Sequence, residues 1–236
     1  MAATTRFQAL ELRTTDVAAA RGFYAHVLGS DFWRPEVALS PLPERALAAG
    51  ARPHWAGHLG VDDPLRCLEL VVERGGQQLG PTLRDNQGAP YAFVRDPFGA
   101  MLALGARHDQ AEDAASWHML HVTDHEAALA FYVELFGWHP RQERELPGNE
   151  GHRHRFFAWN ESGGVVGSVT NAARTPQIHH QWLHFFGTPS VSSACAAVRA
   201  HGALALEPTR TESGDAFAAC DDLQGAAFGL HELAVR

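Results

Sequence analysis

Apolar residues follow two spacings in turn along this chain, one typical of strands and one typical of helices. Each change from the strand spacing to the helix spacing falls at a capping residue. Residues 7–14 interleave apolar and polar side chains and are predicted to form a strand. Apolar residues then recur at helical spacing over residues 17–28, after Asp16 at the N-cap position and before Gly29, a helix-ending residue. The same order of strand, cap, helix and glycine recurs at residues 116–123, Asp124, residues 125–136 and Gly137.

The recurrence indicates a tandem duplication. Residues 15–29 align with residues 123–137, residues 96–99 with residues 222–225, and Trp55 with Trp182. A polar linker, rich in charged and amide side chains, follows the first copy. We therefore expect two modules, residues 5–107 and 114–236.

Each module is predicted to contain two βαβββ units, which makes the fold class α+β. The second units begin with strands over residues 55–61 and 180–187, followed by caps at Asp62 or Asp63 and at Thr188. The first copy is about 18 residues shorter between Gly29 and Trp55, which is the length of two short strands and a turn. The first unit of module one is therefore predicted to lack a hairpin.

Composition excludes several classes of function. The formal net charge is −8, and no cluster of Lys and Arg is present, so nucleic acid is not an expected partner. No apolar run is long enough to span a membrane, and no membrane partner is expected. The 3 cysteines are too few and scattered for a disulfide framework, which favours the cytoplasm. Histidine is enriched, at 15 residues, and is the side chain suited to metal binding or acid–base chemistry.

The repeated units resemble the vicinal oxygen chelate superfamily, which includes glyoxalase I, bleomycin-resistance proteins and extradiol dioxygenases. The motifs that carry the resemblance are Thr123-Asp124, the helix end FYVELFGW at residues 131–138, and the closing turn DPFGA at residues 96–100. The resemblance implies that two units curl into a cup in each module. It does not imply one reaction, because this fold hosts many.

The resemblance also implies where a divalent metal would be held. Members place ligands on the first and last strands of each unit, the first-strand ligand seven residues before the helix cap. In this chain those places hold side chains without a suitable lone pair: Ala9, Trp55, Ala103, Trp117, Gly167, Trp182 and Gly229. The chain is therefore similar to a metal-free, Trp-substituted branch of the superfamily, and no cofactor is expected.

Strand alternation predicts which side chains line the cup of module two. Trp117 shares a face with Met119 and His121, Trp182 shares one with His184 and Phe186, and Gly229 shares one with His231. The candidate ligand-binding residues are Trp117, Met119, Trp182, Phe186, Trp159 and Gly229. The candidate catalytic residues are His121, His184 and His231, as imidazole acids and bases.

Three functions remain open at this point. The first is a metal-independent small-molecule-binding protein of the glyoxalase/bleomycin-resistance type, with its ligand in the cup of module two. The second is an enzyme, either a lyase, isomerase or cyclase that uses the histidines, or a metal-dependent glyoxalase or dioxygenase with a displaced histidine site. The third is a non-catalytic interaction module with both cups filled. The partner expected is a small molecule, and the chain is expected to be a monomer or a homodimer.

Overall fold

The structure is a computed structural model that describes residues 4–108, 113–145 and 151–234. It is a mixed α+β fold, as predicted. The elements of the first half are β1 (Phe7–Thr14), α1 (Val17–Leu28), β2 (Val37–Pro41), α2 (Glu44–Ala48), β3 (His54–Val61), α3 (Pro64–Glu73), β4 (Gln77–Gln78), β5 (Leu83–Arg84), β6 (Pro90–Arg95) and β7 (Met101–Ala106).

The second half repeats this order with more strands. Its elements are β8 (Trp117–His121), α4 (His125–Phe136), β9 (His139–Glu145), β10 (Arg153–Ala158), β11 (Gly167–Thr170), a 3₁₀ helix (Asn171–Arg174), β12 (Gln181–Gly187), α5 (Val191–Ala200), β13 (Leu204–Ala205), β14 (Thr209–Arg210), β15 (Ala216–Asp221) and β16 (Ala227–Glu232). Among the residues described above, no helix is both long and apolar enough to cross a membrane.

Two of the four main helices begin at the predicted caps. The carboxylates of Asp16 and Asp124 accept hydrogen bonds from the amides of Ala19 (2.9 Å) and Ala127 (3.0 Å), which satisfies a first-turn donor in each helix. Gly137 ends α4 in the left-handed conformation, at a φ of 70°.

The caps of the two other main helices agree with the sequence prediction in one case only. Asp63, one of the two predicted candidates, caps α3 by accepting from Leu65 and Arg66. Ser190 caps α5 by accepting from Ser193, so the assignment of this cap to Thr188 is wrong.

The strands form two sheets, one from each half of the sequence. The order in the seven-stranded sheet is β2-β1-β3-β7-β6-β4, with β5 on β6, and in the nine-stranded sheet it is β13-β15-β16-β12-β8-β11-β10-β9, with β14 on β15. In both sheets the first strand of a half pairs in parallel with the last strand of its first unit, β1 with β2 and β8 with β11. The β9–β10 hairpin has no counterpart among the described strands of the first half, which confirms the predicted shortening.

The chain also forms two compact units, and each takes segments from both halves. The first unit comprises Met1–Gln8, Gly57–Asp113 and His118–Trp182, and the second comprises Ala9–Ala56, Ala114–Trp117 and Leu183–Arg236. The boundary between the sheets falls within the predicted linker, whereas the compact units do not follow it. The module boundaries at residues 107 and 114 therefore stay a prediction.

The core of the first compact unit contains a buried chain of polar groups. Trp182 Nε1 donates to the hydroxyl of Tyr132 (3.0 Å), which donates to Asp96 Oδ2 (2.7 Å). The other carboxylate oxygen of Asp96 closes its own turn by accepting from Phe98 and Ala100. Burial raises the pKa of Asp96 above its usual range. These hydrogen bonds join the aromatic core to the closing turn. Each of the three side chains in the series has a hydrogen-bond partner.

The second compact unit repeats that arrangement with residues of the other repeats. Trp55 Nε1 donates to the hydroxyl of Tyr24 (2.8 Å), which donates to Asp222 Oδ2 (3.2 Å). Asp222 closes its turn by accepting from the amides of Gln224 and Ala226. The duplicated sequence has therefore produced the same tryptophan–tyrosine–aspartate contact in each compact unit.

Candidate functional site

Three adjacent strands of the first compact unit form a sheet face directed away from its core. Leu120 on β8, Val169 on β11 and Phe157 on β10 belong to the core, so alternate residues point to the opposite side, which we call the open face. Two cross-strand rows lie on it. The first row is His121–Thr170–His154, and the second is Met119–Ser168–Phe156.

The first row contains three buried polar atoms that have no hydrogen-bond partner within residues 4–108, 113–145 and 151–234. These atoms are His121 Nδ1, Thr170 Oγ1 and His154 Nε2. Thr170 and His154 are almost completely buried, and His121 is partly exposed. An unpaired polar group costs free energy when it is removed from water, so three in one row favour a polar ligand or ordered water at this place.

Both histidines of this row are neutral near pH 7. Burial, and to a smaller extent repulsion from neighbouring histidines, lowers the pKa of His121 to about 4 and that of His154 to about 3. His154 Nδ1 is hydrogen-bonded to Ser168 Oγ (3.2 Å), which fixes the orientation of its ring. His152, one of the neighbours, contacts Thr175 Oγ1 through Nε2 (3.0 Å). The row therefore offers uncharged donors and acceptors.

The second compact unit carries an aromatic group on its own open face, opposite its core residues Ala218, Phe228 and Leu230. Phe217 stacks on His231 with ring centroids 4.2 Å apart, and Trp117 contacts both rings at 5.9 and 6.4 Å. The predicted placement of Trp117 and His231 on one face with Gly229 agrees with this register.

Hydrogen bonds assign the tautomer of His231. The hydroxyl of Ser116 donates to the carbonyl of Phe185 (3.1 Å), so it accepts from His231 Nδ1 (3.0 Å). Nε2 then carries a lone pair, and it is buried with no partner among the residues of the three described ranges. Burial lowers the pKa of His231, which keeps the ring neutral.

The ring of Phe185 fills the space that a side chain at position 229 would need. A Cβ built at Gly229 overlaps the Phe185 ring. Phe185 is the cross-strand partner of Gly229 in the parallel pair of β12 and β16. An aromatic ring thus lies where the resemblance implies a last-strand ligand.

The structure contradicts the prediction of which side chains of β12 point into the cup. Trp182 lies in the core of the first unit and Phe186 in the core of the second, and His184 is fully buried on the same side of the strand as Phe186. The expectation that Trp182, His184 and Phe186 line the cup therefore fails. Counted seven residues back from Ser190, the cap that α5 uses, the first-strand position is Leu183, which shares a face with Phe185.

Trp159 also lies in the core rather than on the open face. Its ring packs against Phe7 and Trp138, and its Nε1 donates to Asp113 Oδ2 (3.2 Å). Asp113 also accepts from His118 Nε2, at 3.0 Å. Trp159 is therefore a structural residue that ties the end of the linker to the core.

The residues at the family's metal-ligand positions cannot bind a metal ion in this chain. Ala9, Ala103, Trp117 and Gly229 offer no ligand atom, and the corrected first-strand positions hold Ala56 and Leu183. Gly167 faces the core, since a Cβ there would clash with the ring of Phe157. Its strand presents the hydroxyls of Ser168 and Thr170 to the open face instead.

One other group of potential ligands exists within the described ranges, and arginines already neutralise it. His125, Glu126 and Glu143 bring their ligand atoms within 4.8 Å of one another. Arg155 Nη1 lies 3.4 Å from Glu126 and 3.7 Å from Glu143, and Arg153 Nη1 lies 2.6 Å from Glu143. These cations occupy the carboxylate oxygens that a metal ion would need.

Three residues that sequence reasoning missed belong to the open faces: Thr170, Phe185 and Phe217. Their positions depend on which residues pair across strands, and that register has no signal in the local sequence.

The comparisons with known proteins agree with the fold. Residues 115–230 match the family model of the "Glyoxalase/Bleomycin resistance protein/Dioxygenase superfamily". A relative from Mycobacterium bovis, named "Putative glyoxylase CFP32", is 26% identical over 94% of this chain and 92% of its own length.

Solved structures share the fold at low sequence identity. The 2,2',3-trihydroxybiphenyl 1,2-dioxygenase of Sphingomonas wittichii strain RW1 has a TM-score of 0.62 and 13% identity, covering 98% of this chain and 91% of its own. The Mn(II)-bound glyoxalase of Novosphingobium aromaticivorans has a TM-score of 0.60 and 14% identity, covering 97% and 82%.

Proposed function

Since this chain belongs to the glyoxalase/bleomycin resistance protein/dioxygenase superfamily, we propose that it is a metal-independent small-molecule-binding protein. Its ligand contacts the row His121–Thr170–His154 on the open face of β8, β11 and β10. The observation that supports this is the set of three buried polar atoms without a partner among the described residues. A ligand that hydrogen-bonds to them offsets their desolvation cost.

The side chains of the two rows define the ligand's chemistry. Neutral imidazoles and a hydroxyl select an uncharged polar group, such as a hydroxyl or a carbonyl, over a charged one. Met119 and Phe156 in the neighbouring row supply an apolar surface. The ligand class is therefore a small, uncharged molecule with an apolar body and at least one hydrogen-bonding group.

Binding is favoured over acid–base catalysis by the pKa values of these histidines. A general base works best when its pKa is near the operating pH. Groups with pKa values of about 4 and about 3 are weak bases, and at pH 7 they are not in the protonated imidazolium form that a general acid requires. Metal independence is supported by the side chains at the family's ligand positions, of which Ala9, Ala103 and Gly229 are examples. The cytoplasmic location and the monomer or homodimer state remain part of this proposal, on composition alone.

The test is native mass spectrometry of protein purified without chelator, with elemental analysis of the same sample. We expect a co-purifying or added small molecule at one per chain, and no stoichiometric Mn, Fe, Ni or Zn. A thermal-shift screen of uncharged hydroxyl and carbonyl compounds, repeated with EDTA, supplies the affinity. A stoichiometric metal, or stabilisation that EDTA removes, would contradict the proposal.

A further inference from the structure

Two helix ends meet on the surface of the second compact unit, and each carries an exposed histidine. His26 lies in the last turn of α1, and His201 is the residue that ends α5. The helices pack against each other, and the two imidazole rings are in contact, with centroids 4.2 Å apart and planes inclined by 52°. Two potential nitrogen ligands are therefore brought to one exposed place.

The first compact unit has an ion pair at the equivalent place. The repeat aligns His26 with Glu134, in the last turn of α4, and His201 with Arg74, which ends α3. Arg74 Nη2 lies 2.6 Å from Glu134 Oε1. The packing of the two helices has thus been kept in both copies, whereas a pair of opposite charges in one copy stands where the other has two imidazoles.

A hydrogen bond to the helix backbone prepares His201 to bind a metal ion. Its Nδ1 lies 2.9 Å from the carbonyl of Ala197, and because a carbonyl only accepts, Nδ1 carries the proton. Nε2 of the neutral ring then carries the lone pair. A metal-ligating histidine usually donates its other N–H in this way, which fixes the tautomer and the orientation of the ring. Arg74 makes the corresponding contact in the first unit, from Nη1 to the carbonyl of Leu70 (3.4 Å).

The helix ends around the histidine pair favour a cation. The last carbonyls of a helix carry partial negative charge, and two such ends meet here. In the first unit the guanidinium of Arg74 supplies a positive charge at this place, whereas neutral imidazoles supply none. Arg199, in the last turn of α5, is directed to other partners, since its Nη2 lies 2.6 Å from Glu207 Oε1 and 3.0 Å from the carbonyl of Ala205. A bound metal ion would take the place of the cation in the other copy.

We propose that His26 and His201 together bind a transition-metal dication, with Cu(II) bound most tightly. Imidazole nitrogens suit Cu, Ni and Zn, and among the divalent ions of this series Cu(II) has the highest affinity for nitrogen ligands. The two histidines supply two ligands, and water completes the coordination because both side chains are exposed. Such an ion exchanges with solvent, so protein purified without added copper carries none. Ligand binding to the row His121–Thr170–His154 does not depend on it.

The test is a titration of Cu(II) into the full-length protein, followed by calorimetry and by electron paramagnetic resonance, which detects coordinated nitrogen. We expect the tightest site to bind one ion per chain through two imidazoles. His26→Ala and His201→Ala should each weaken it at least about tenfold, because loss even of the group that orients a ligating histidine costs about 10- to 100-fold in metal affinity. His179→Ala, which removes an exposed histidine outside the pair, is the matched control and should bind normally.

Exchanging residues between the two copies gives a test in both directions. His26→Glu combined with His201→Arg rebuilds the ion pair of the first unit, so this variant should fold normally and lose the site. Arg74→His combined with Glu134→His should add a second site of similar affinity. Unchanged affinity in both alanine variants, retention of the tightest site after the exchange to an ion pair, or no added site in the reciprocal variant would overturn the proposal.

Discussion

His121 and His154 lie on either side of Thr170, each as its direct cross-strand partner. Two strand spacings separate the backbones of the histidines, which is about 10 Å. A ring-sized molecule between the two imidazoles can reach both, with the threonine hydroxyl below it. Neither ring belongs to a group of three or more potential metal ligands within the described ranges, so this spacing suits an organic ligand.

Removing one imidazole should reveal whether the row binds the ligand. In His154→Ala, and separately in His121→Ala, we expect affinity for the ligand found by mass spectrometry to fall about tenfold, because a buried hydrogen bond is lost. His26→Ala, at an exposed position of α1, is the control and should bind normally. Calorimetric titration measures affinity, and a thermal melt checks folding. Unchanged affinity in both folded pocket variants would refute the site.

The depressed pKa values make stability depend on pH. The unfolded chain protonates these imidazoles near pH 6.5, whereas the folded protein does so only near pH 4 for His121 and pH 3 for His154. Stability is therefore complete above about pH 6.5 and falls as the pH drops toward 4, with a slope approaching about 1.4 kcal/mol per pH unit for each group. Urea unfolding at pH 7, 6 and 5 measures this slope. His154→Gln should flatten it, and an unaltered slope in that variant contradicts the assignment.

Loss of the tyrosine hydroxyl should destabilise the fold to a similar extent in each of the two tryptophan–tyrosine–aspartate contacts. Tyr132→Phe and Tyr24→Phe each leave a buried tryptophan N–H and an aspartate carboxylate without their shared partner. We expect each variant to lose about 1 to 3 kcal/mol of unfolding free energy in urea titrations. Tyr91→Phe, whose side chain lies outside both contacts, serves as the comparison. Losses below about 0.5 kcal/mol in both core variants would mean that packing alone holds these rings.

Glycine at position 229 should be required by the neighbouring ring. Gly229→Ala places a methyl group into Phe185 and is expected to cost about 1 to 3 kcal/mol through overpacking. Gly105→Ala is the matched control, because the atom nearest to its new Cβ is 3.5 Å away. Phe185→Leu should restore part of the loss in the double variant. Full stability of Gly229→Ala would show that the Phe185 ring moves aside without cost.

The repeat, the caps at Asp16 and Asp124 and the missing hairpin were predictable, because each depends on residues close in sequence. The face of β12 was not, because strand alternation amplifies a small error. Trp182 was placed by its alignment with Trp55, which lies seven residues before Asp62, whereas α3 is capped one residue later by Asp63, and a slip of one residue exchanges the two faces of a strand. The row through Thr170 could not be predicted either, since it depends on pairing among β8, β11 and β10.

The interleaving of the two compact units has a consequence for the order of events during synthesis. Every segment of the first unit has emerged from the ribosome once Trp182 is outside, so its core can close while the C-terminal residues are still being added. The second unit has to wait for Leu183–Arg236, because Tyr24 contacts Asp222, which lies 198 positions further along the chain. Helix α1 therefore stays unenclosed while all the segments of the first unit are already available to fold.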